Sequence, residues 1–359
     1  MLMCFGVRNT GAAFMSEIVR YDVSEYLAYS SIYADDIPEL LSRLAMTPAM
    51  RRLSDIGMHC GCEYAGFPIY KQVRFNYTRL MHSIGVASIV WNFTGDVRQA
   101  VAGLLHDIAT PVFAHTIDFL NNDYMMQEST EDKTLAVIEN SEEITSLLNE
   151  YEILVEDVCD YHKYPIADND TPMLSADRLE YTLGNGYIVY NMGSNQINGI
   201  YDDLCVAENE YGDPELCFRS VDIAKEFIEI SLRNSHLFVS DEDRFSMQYL
   251  SDILRRAIEL GVLTFNDLHT TESDVIRKLN EYEELSAAWD KYTKLSSVSS
   301  SREKLKDCYC VNISAKKRYI DPLVLVRDAV KRISKIDSDT KIAIESFLRL
   351  DFDKWLYII

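Results

Sequence analysis

Two adjacent side chains, His106 and Asp107, constrain this chain more than any other feature. With His82 before them and Asp177 well after them, they could supply a complete ligand set for one divalent cation. The pair closes an apolar, Ala-rich helical stretch, Val101-Ala102-Gly103-Leu104-Leu105-His106-Asp107-Ile108. Consecutive helix positions point about 100° apart, so both side chains reach one ion only if it sits in the groove beside that helix. The other two ligands must come from other elements, and the fold has to bring distant segments together at one point.

His82 lies in Arg79-Leu80-Met81-His82-Ser83-Ile84-Gly85-Val86-Ala87-Ser88-Ile89-Val90, whose apolar residues at 80, 84, 87 and 90 mark one helical face. Asp177 lies in Ser175-Ala176-Asp177-Arg178-Leu179-Glu180-Tyr181, with Leu174, Leu179 and Leu183 as a packing face, so a third helix carries the second carboxylate. Two imidazoles and two carboxylates suit a transition metal better than calcium, and four protein ligands leave positions for water or substrate on a six-coordinate ion. One ion per chain is expected; the pattern does not distinguish Mn, Fe, Mg, Zn, Co and Ni.

The order His, His-Asp, Asp and the words around it resemble the HD superfamily of metal-dependent phosphohydrolases. Arg79-Leu80-Met81-His82-Ser83-Ile84-Gly85-Val86 looks like the family's first-ligand motif. Leu104 to Asp107, followed by Pro111-Val112-Phe113-Ala114-His115, is similar to its LLHDxGHxPFSH, and Ala176-Asp177-Arg178-Leu179-Glu180-Tyr181 to its ADRLDY. Met50 to Gly57 resembles the approach segment of the branch that holds deoxynucleoside triphosphate triphosphohydrolases. The resemblance spans roughly residues 45 to 290. It implies a helical bundle around a metal site, a metal-activated water as nucleophile, and a nucleotide substrate, foremost a deoxynucleoside triphosphate.

The resemblance also assigns roles and shows departures. His115 matches the family histidine that approaches the substrate, and Asp118 stands where a carboxylate often supports it. The family histidine four residues after the first of the His-Asp pair is Thr110 here, and a later His-Glu pair is Gln127-Glu128. Glu128 can replace the lost imidazole as base or proton shuttle if burial raises its pKa. The aspartate that often follows the last motif is Asn185. Arg79 and Arg178 are candidates for stabilising charge on a leaving phosphate, although Arg79 also suits a structural pairing with a carboxylate beside the metal. Tyr181, one turn after Asp177, falls on the same helical face; in relatives a tyrosine there lies against the sugar, and the competing reading is a core tyrosine. His162 reads as a surface or structural residue, with a second metal as the alternative. His59, His236 and His269 read as structural.

Charge narrows the partners. With 57 acidic against 35 basic residues, the net charge of -22 repels nucleic acids and anionic membranes, and an anionic nucleotide would need the metal and local arginines to offset that field. The basic run Lys316-Lys317-Arg318 reads as a solvated turn, with phosphate binding or regulation as the alternative. Eight cysteines without a CxxC pair or zinc-finger spacing fit reduced thiols in a cytoplasm. Met1 to Phe14 lacks the character of a signal peptide, and no stretch has the roughly 20 apolar residues of a membrane span.

The expected fold class is all-α: an HD-type bundle over residues 45–290, preceded by an N-terminal segment, 1–44. A small hairpin or loop is expected at Cys60–Tyr70, before the first ligand helix. A Ser-rich linker at 291–302 follows, then a minor α+β C-terminal appendage at 303–359 with a two-stranded element and a final helix, Ser338–Trp355. Homo-oligomerisation is implied by the resemblance alone. The competing functions are a catalytically altered HD protein that binds nucleotide for regulation, favoured by Thr110 and Gln127, and a 5'-nucleotidase, phosphodiesterase or oxygenase of the same superfamily; a two-metal version would draw on Glu128 and His162.

Overall fold

The computed structural model describes residues 29–33, 36–120, 133–327 and 329–358; the expectations for Met1–Phe14, Gln127 and Glu128 lie outside the described residues. At its centre is helix α1, Arg79–Thr94, which begins where the Thr78 hydroxyl accepts a hydrogen bond from the Met81 amide. It ends at Gly95, whose φ of +63° a Cβ would make costly. The face at 80, 84, 87 and 90 is buried as expected, but so is every other residue from Leu80 to Val90. A helix enclosed on all sides sits in the middle of a domain.

Helices α2, Val97–Leu105, and α3, Ala176–Ile188, pack directly on α1. Asp96 caps α2 by accepting from the Arg98 and Gln99 amides, and Ser175 caps α3 by accepting from the Arg178 amide. Capped starts satisfy amides that have no partner within the helix, and they fix where each ligand-bearing segment begins. Helix α4, Val221–Phe238, packs on α3, and α5, Asp241–Glu259, covers the short helix Thr116–Leu120. Helix α5 starts at Asp241 because Ser240 caps it through the Asp243 amide. Gly261 follows its end at φ +70°.

The molecule is mostly helical, and the all-α expectation needs correcting because two small sheets are present. Strands β1, Leu204–Glu208, and β2, Pro214–Phe218, form an antiparallel hairpin; β2 then pairs in parallel with β5, Leu323–Val326, which pairs antiparallel with β6, Ala329–Arg332. The second sheet has the order β3, Ser299–Ser301, then β7, Trp355–Tyr357, then β4, Cys310–Val311. The hairpin expected at Cys60–Tyr70 is absent. Gly61, at φ +86°, starts a tight turn at Cys62–Tyr64, and Pro68, at the first position of the helix Pro68–Lys71, fits where no amide is needed. The actual hairpin was signalled by Asn209-Glu210-Tyr211-Gly212-Asp213-Pro214 between two short apolar runs. Part of the Ser-rich stretch is strand β3, because β7 offers it a partner. The last helix stops at Leu348, short of Trp355, which joins β7.

One buried ion pair ties the first sheet to the ligand helices. Glu215 on β2 is fully enclosed, and its carboxylate accepts two hydrogen bonds from Arg332 on β6 at 2.5 and 2.8 Å. It also accepts the Leu174 amide at 3.0 Å, immediately before the cap of α3. Removing the arginine strands a buried charge, which costs about 3–5 kcal/mol. Arg332→Ala is therefore expected to lower the unfolding free energy by about that amount in urea titrations; a loss below about 0.5 kcal/mol would mean that the pair is solvated like a surface bridge.

Candidate functional site

The three capped helices bring His82, His106, Asp107 and Asp177 to one side of a cleft of about 480 Å³. Candidate ligand atoms of His82, His106 and Asp107 all lie within 4.8 Å of one another. Asp177 joins them from α3: its Oδ1 is 2.9 Å from His82 Nε2 and 3.8 Å from His106 Nε2, while Asp107 Oδ2 is 3.5 Å from His106 Nε2. Ligands at right angles around an ion at about 2.1 Å are about 3 Å apart, so these separations suit a single cation.

What surrounds the four side chains fixes their orientation. The His106 Nδ1 hydrogen bonds the Gly103 carbonyl at 2.7 Å, which leaves Nε2 with its lone pair toward the cluster. The His82 Nδ1 meets the carboxylate of Glu180, a residue with no exposure that also accepts the hydroxyls of Tyr29 and Tyr77. Two glycines make room for this arrangement: a Cβ on Gly85 would lie 2.6 Å from Glu180, and one on Gly184 would collide with the Tyr77 and Tyr29 hydroxyls. Burial opposes charge on His82, but Glu180 and Asp177 at its two nitrogens outweigh it and raise the imidazole to about 10. A cation held by His82 and Asp177 would displace the proton shared there. Burial likewise opposes charge on Asp107, yet Arg79, His106 and His82 hold its carboxyl well below the usual carboxylate range.

Asp107 has two further partners. Arg79 reaches both of its oxygens at 2.9 and 3.2 Å, and the Thr110 hydroxyl donates to Oδ1 at 2.7 Å. Arg79 thus pairs with a carboxylate beside the cluster while still lining the cleft, and its Nε is buried without a hydrogen-bond partner among the described residues.

Across the cleft, the His115 Nδ1 lies 2.8 Å from Oδ2 of the fully buried Asp118. Burial lowers the His115 pKa below its ordinary 6.5 even against Asp118, with Arg318 and Arg79 adding to the effect. A neutral imidazole donating Nδ1–H to a carboxylate presents Nε2 as a proton acceptor. The turn that delivers it is strained: Phe113 and Ala114 have φ of +56° and +41°, held by the Phe113 amide on Glu272 and by the Thr116 hydroxyl on the Cys60 carbonyl. Such conformations cost on the order of 1–3 kcal/mol each and persist where surrounding contacts enforce them.

Tyr181 lines the cleft edge-on to Phe238. His162 lines its rim, half-exposed and 2.9 Å from Asp168. Arg178 is turned away from the cleft lining: its guanidinium donates to Asn169 Oδ1 and the Asn169 and Met173 carbonyls, bracing the loop before α3. Three residues of the site, two of them lining the cleft, were missed. His59, read from sequence as structural, bonds Asn185 at 2.9 Å in the cleft wall. Glu180 carried no assigned role. Asp243 is buried, accepts the Tyr70 hydroxyl at 3.0 Å and lines the cleft; burial first, then Glu242 and Glu63, raise its carboxyl to about 8. A carboxylate inside an otherwise amphipathic helix gives no sequence sign of facing a cavity.

No family model matches the chain. Over 259 residues it is 26% identical to the uncharacterized protein YdhJ of Bacillus subtilis (strain 168), covering 71% of this chain and 76% of that one. Among solved structures it resembles a hypothetical protein from Aquifex aeolicus, with a TM-score of 0.62 at 18% identity over 90% of this chain and 93% of that one. It also resembles a phosphohydrolase from Bacteroides thetaiotaomicron, with a TM-score of 0.61 at 16% identity over 89% and 96% of the two chains. At these identities the likeness is one of fold. No helix among the described residues is long and apolar enough to cross a membrane.

Two measurements follow from this geometry. Glu180→Gln keeps the side chain's size but loses the charge that orients His82, and metal affinity is expected to fall about 10- to 100-fold in competition titrations against a chelator; unchanged affinity would remove Glu180 from the site's support. Asp243 keeps its proton in the folded chain up to about pH 8 but loses it near the ordinary 3.8 when unfolded. The folded state therefore binds more protons across that interval, and stability from this group falls as pH rises through it. Thermal melts of Asp243→Asn should exceed wild type by a margin that widens from pH 5 to pH 8, and a margin constant with pH would contradict this burial.

Proposed function

We propose that the chain is a metal-dependent phosphohydrolase that cleaves a nucleotide phosphoester, foremost in a deoxynucleoside triphosphate. The observation that carries this reading is the pairing, within one cleft, of a four-residue imidazole and carboxylate cluster with the His115–Asp118 dyad. The fold shared with a phosphohydrolase from Bacteroides thetaiotaomicron supports the reaction class, and the motif resemblance around His82, His106, Asp107 and Asp177 supports the nucleotide.

A divalent cation on those four residues would supply Lewis acidity at a phosphoryl oxygen and lower the pKa of the attacking water. The chain's own residues do the rest. His82 and His106 are locked in the ligating orientation by Glu180 and the Gly103 carbonyl, so no rotamer search accompanies binding. His115, neutral and held on Asp118, accepts a proton at Nε2 and can return it to the leaving oxygen. Tyr181 and Phe238 form an aromatic wall suited to a sugar or base.

Thr110 favours a second reading, a nucleotide-binding regulator. At a position where the resembled family uses a histidine, its hydroxyl is bonded to Asp107 and offers no imidazole.

Phosphate release and product analysis over nucleoside tri-, di- and monophosphates, with Mn, Mg, Co and Fe supplied in turn, separates the two. Turnover that vanishes in Asp107→Ala is expected, with the product, triphosphate or orthophosphate, naming the bond broken. Tight nucleotide binding with no turnover under any metal would establish the regulatory reading instead.

A further inference from the structure

The basic run Lys316-Lys317-Arg318 lies in an extended segment between the buried Ile313 and Ile320, and extended backbone sends successive side chains to opposite sides. Lys317 points away from the cleft: its ammonium donates to the Leu348 and Leu350 carbonyls, both at 2.6 Å, and stands 5.2 Å over the Phe352 ring. Lys316 and Arg318, its two neighbours, line the cleft that holds the metal-binding cluster. The segment is clamped at both ends. Arg244, buried in α5, donates to the Ile313 carbonyl, and the Asp321 amide donates to the Pro172 carbonyl at 2.8 Å.

Arg318 is half-buried and has no ion pair or hydrogen bond among the described residues, in a chain with 57 acidic side chains. It sits close enough to His115 and Tyr181 for its charge to act on both. The other arginines of the site have protein partners: Arg79 is paired with Asp107, and Arg178 braces the loop before α3. A guanidinium partly withdrawn from water without a counter-charge is an incomplete arrangement, and it is completed by an anion with oxygens to share.

We propose that Arg318, with Lys316 beside it, is a specificity-determining arm that binds phosphate groups of the substrate other than the one held at the metal-binding cluster, so that the cleft selects polyphosphates over monophosphates. This rests on the phosphohydrolase reading for the word substrate, although the anion site itself does not. Arginine presents a planar fork matched to two phosphate oxygens, and the arm comes from the C-terminal part of the chain, outside the helices that carry the cluster.

The test uses the full chain loaded with Mn and freed of excess ion. Calorimetric binding of inorganic tripolyphosphate and of orthophosphate is compared for wild type, Arg318→Glu, Arg318→Gln and Arg318→Lys. Lys331→Glu, on the exposed part of β6, controls for net charge, and melts confirm folding of each variant. Arg318→Glu and Arg318→Gln are expected to weaken tripolyphosphate about tenfold or more and orthophosphate far less, with Arg318→Lys recovering part of the loss. With a nucleoside triphosphate, KM should rise with the same ranking while kcat stays within about twofold. Tripolyphosphate affinity equal to wild type in Arg318→Glu, or a loss no larger than that of Lys331→Glu, overturns the proposal. Arg318-dependent tripolyphosphate binding in a chain that turns over no nucleotide would defeat the phosphohydrolase reading and leave this one standing; Asp107-dependent turnover indifferent to Arg318 would do the reverse.

Discussion

Glu180 is wholly enclosed, and a carboxylate in that position is costly unless each oxygen is matched by donors. The chain supplies three, the hydroxyls of Tyr29 and Tyr77 and the imidazole of His82, drawn from the N-terminal part, the segment before α1 and α1 itself. Meeting the needs of one charge therefore sets the position of several elements. The requirement explains why two helices that pack at the centre carry glycine where they face this group, since side chains at Gly85 and Gly184 would occupy the space of the carboxylate and the tyrosine hydroxyls. Glycine inside a helix costs roughly 0.5–1 kcal/mol relative to alanine, a loss that the completed hydrogen-bond network offsets. The imidazole and carboxylate cluster stands on that network: His82 reaches Asp177 through the nitrogen that Glu180 does not use.

The electrostatic plan of the molecule follows from its acidity. A chain with a net charge of -22 has few cations to place, and the structure uses most of its buried arginines to satisfy carboxylates and carbonyls: Arg332 for Glu215, Arg244 for the Ile313 carbonyl and Asp241, and Arg79 for Asp107. The buried pairs hold geometry more than they add stability, because desolvation consumes most of their Coulomb attraction. An anionic ligand entering the cleft meets the aspartates of its lining together with the cations placed there, among them Lys316 and Arg318 from the C-terminal segment.

The sequence was most legible where a residue type and a spacing were both demanded. Histidine and aspartate at 82, 106, 107 and 177, in that order and in those motif contexts, implied a convergence of three helices, and those side chains do meet. Helix starts at Thr78, Asp96, Ser175 and Thr271 are marked locally, by capping side chains of the types favoured there. Strand pairing was not. Ser299–Ser301 has the composition of a linker and becomes a strand only because Trp355–Tyr357 arrives beside it, and β5 finds β2 from more than a hundred residues away. Such partners are set by tertiary contact, which local pattern does not contain. The same limit hid His59 and Asp243, which face the cavity, and it hid that Arg178, next to Asp177 in sequence, gives its guanidinium to Asn169 and Met173.

Thr110 raises the question of how acid and base chemistry would be divided on the proposed reading. A histidine there would stand one turn from Asp107 and compete with it for protons; the threonine hydroxyl instead donates to that carboxylate and, with Arg79, keeps it ionised and fixed as a ligand. On that reading the proton that an attacking water must lose goes to His115, which lines the cleft and does not belong to the cluster. Its Nδ1–H is anchored on Asp118, so a proton gained at Nε2 makes an imidazolium stabilised by a buried carboxylate, and the same nitrogen can deliver that proton to the departing oxygen. A single dyad serving both halves of the reaction would tie the rate to one titration on the low-pH side. Burial has moved that titration below the ordinary histidine value, which leaves the imidazole in its proton-accepting form at neutral pH.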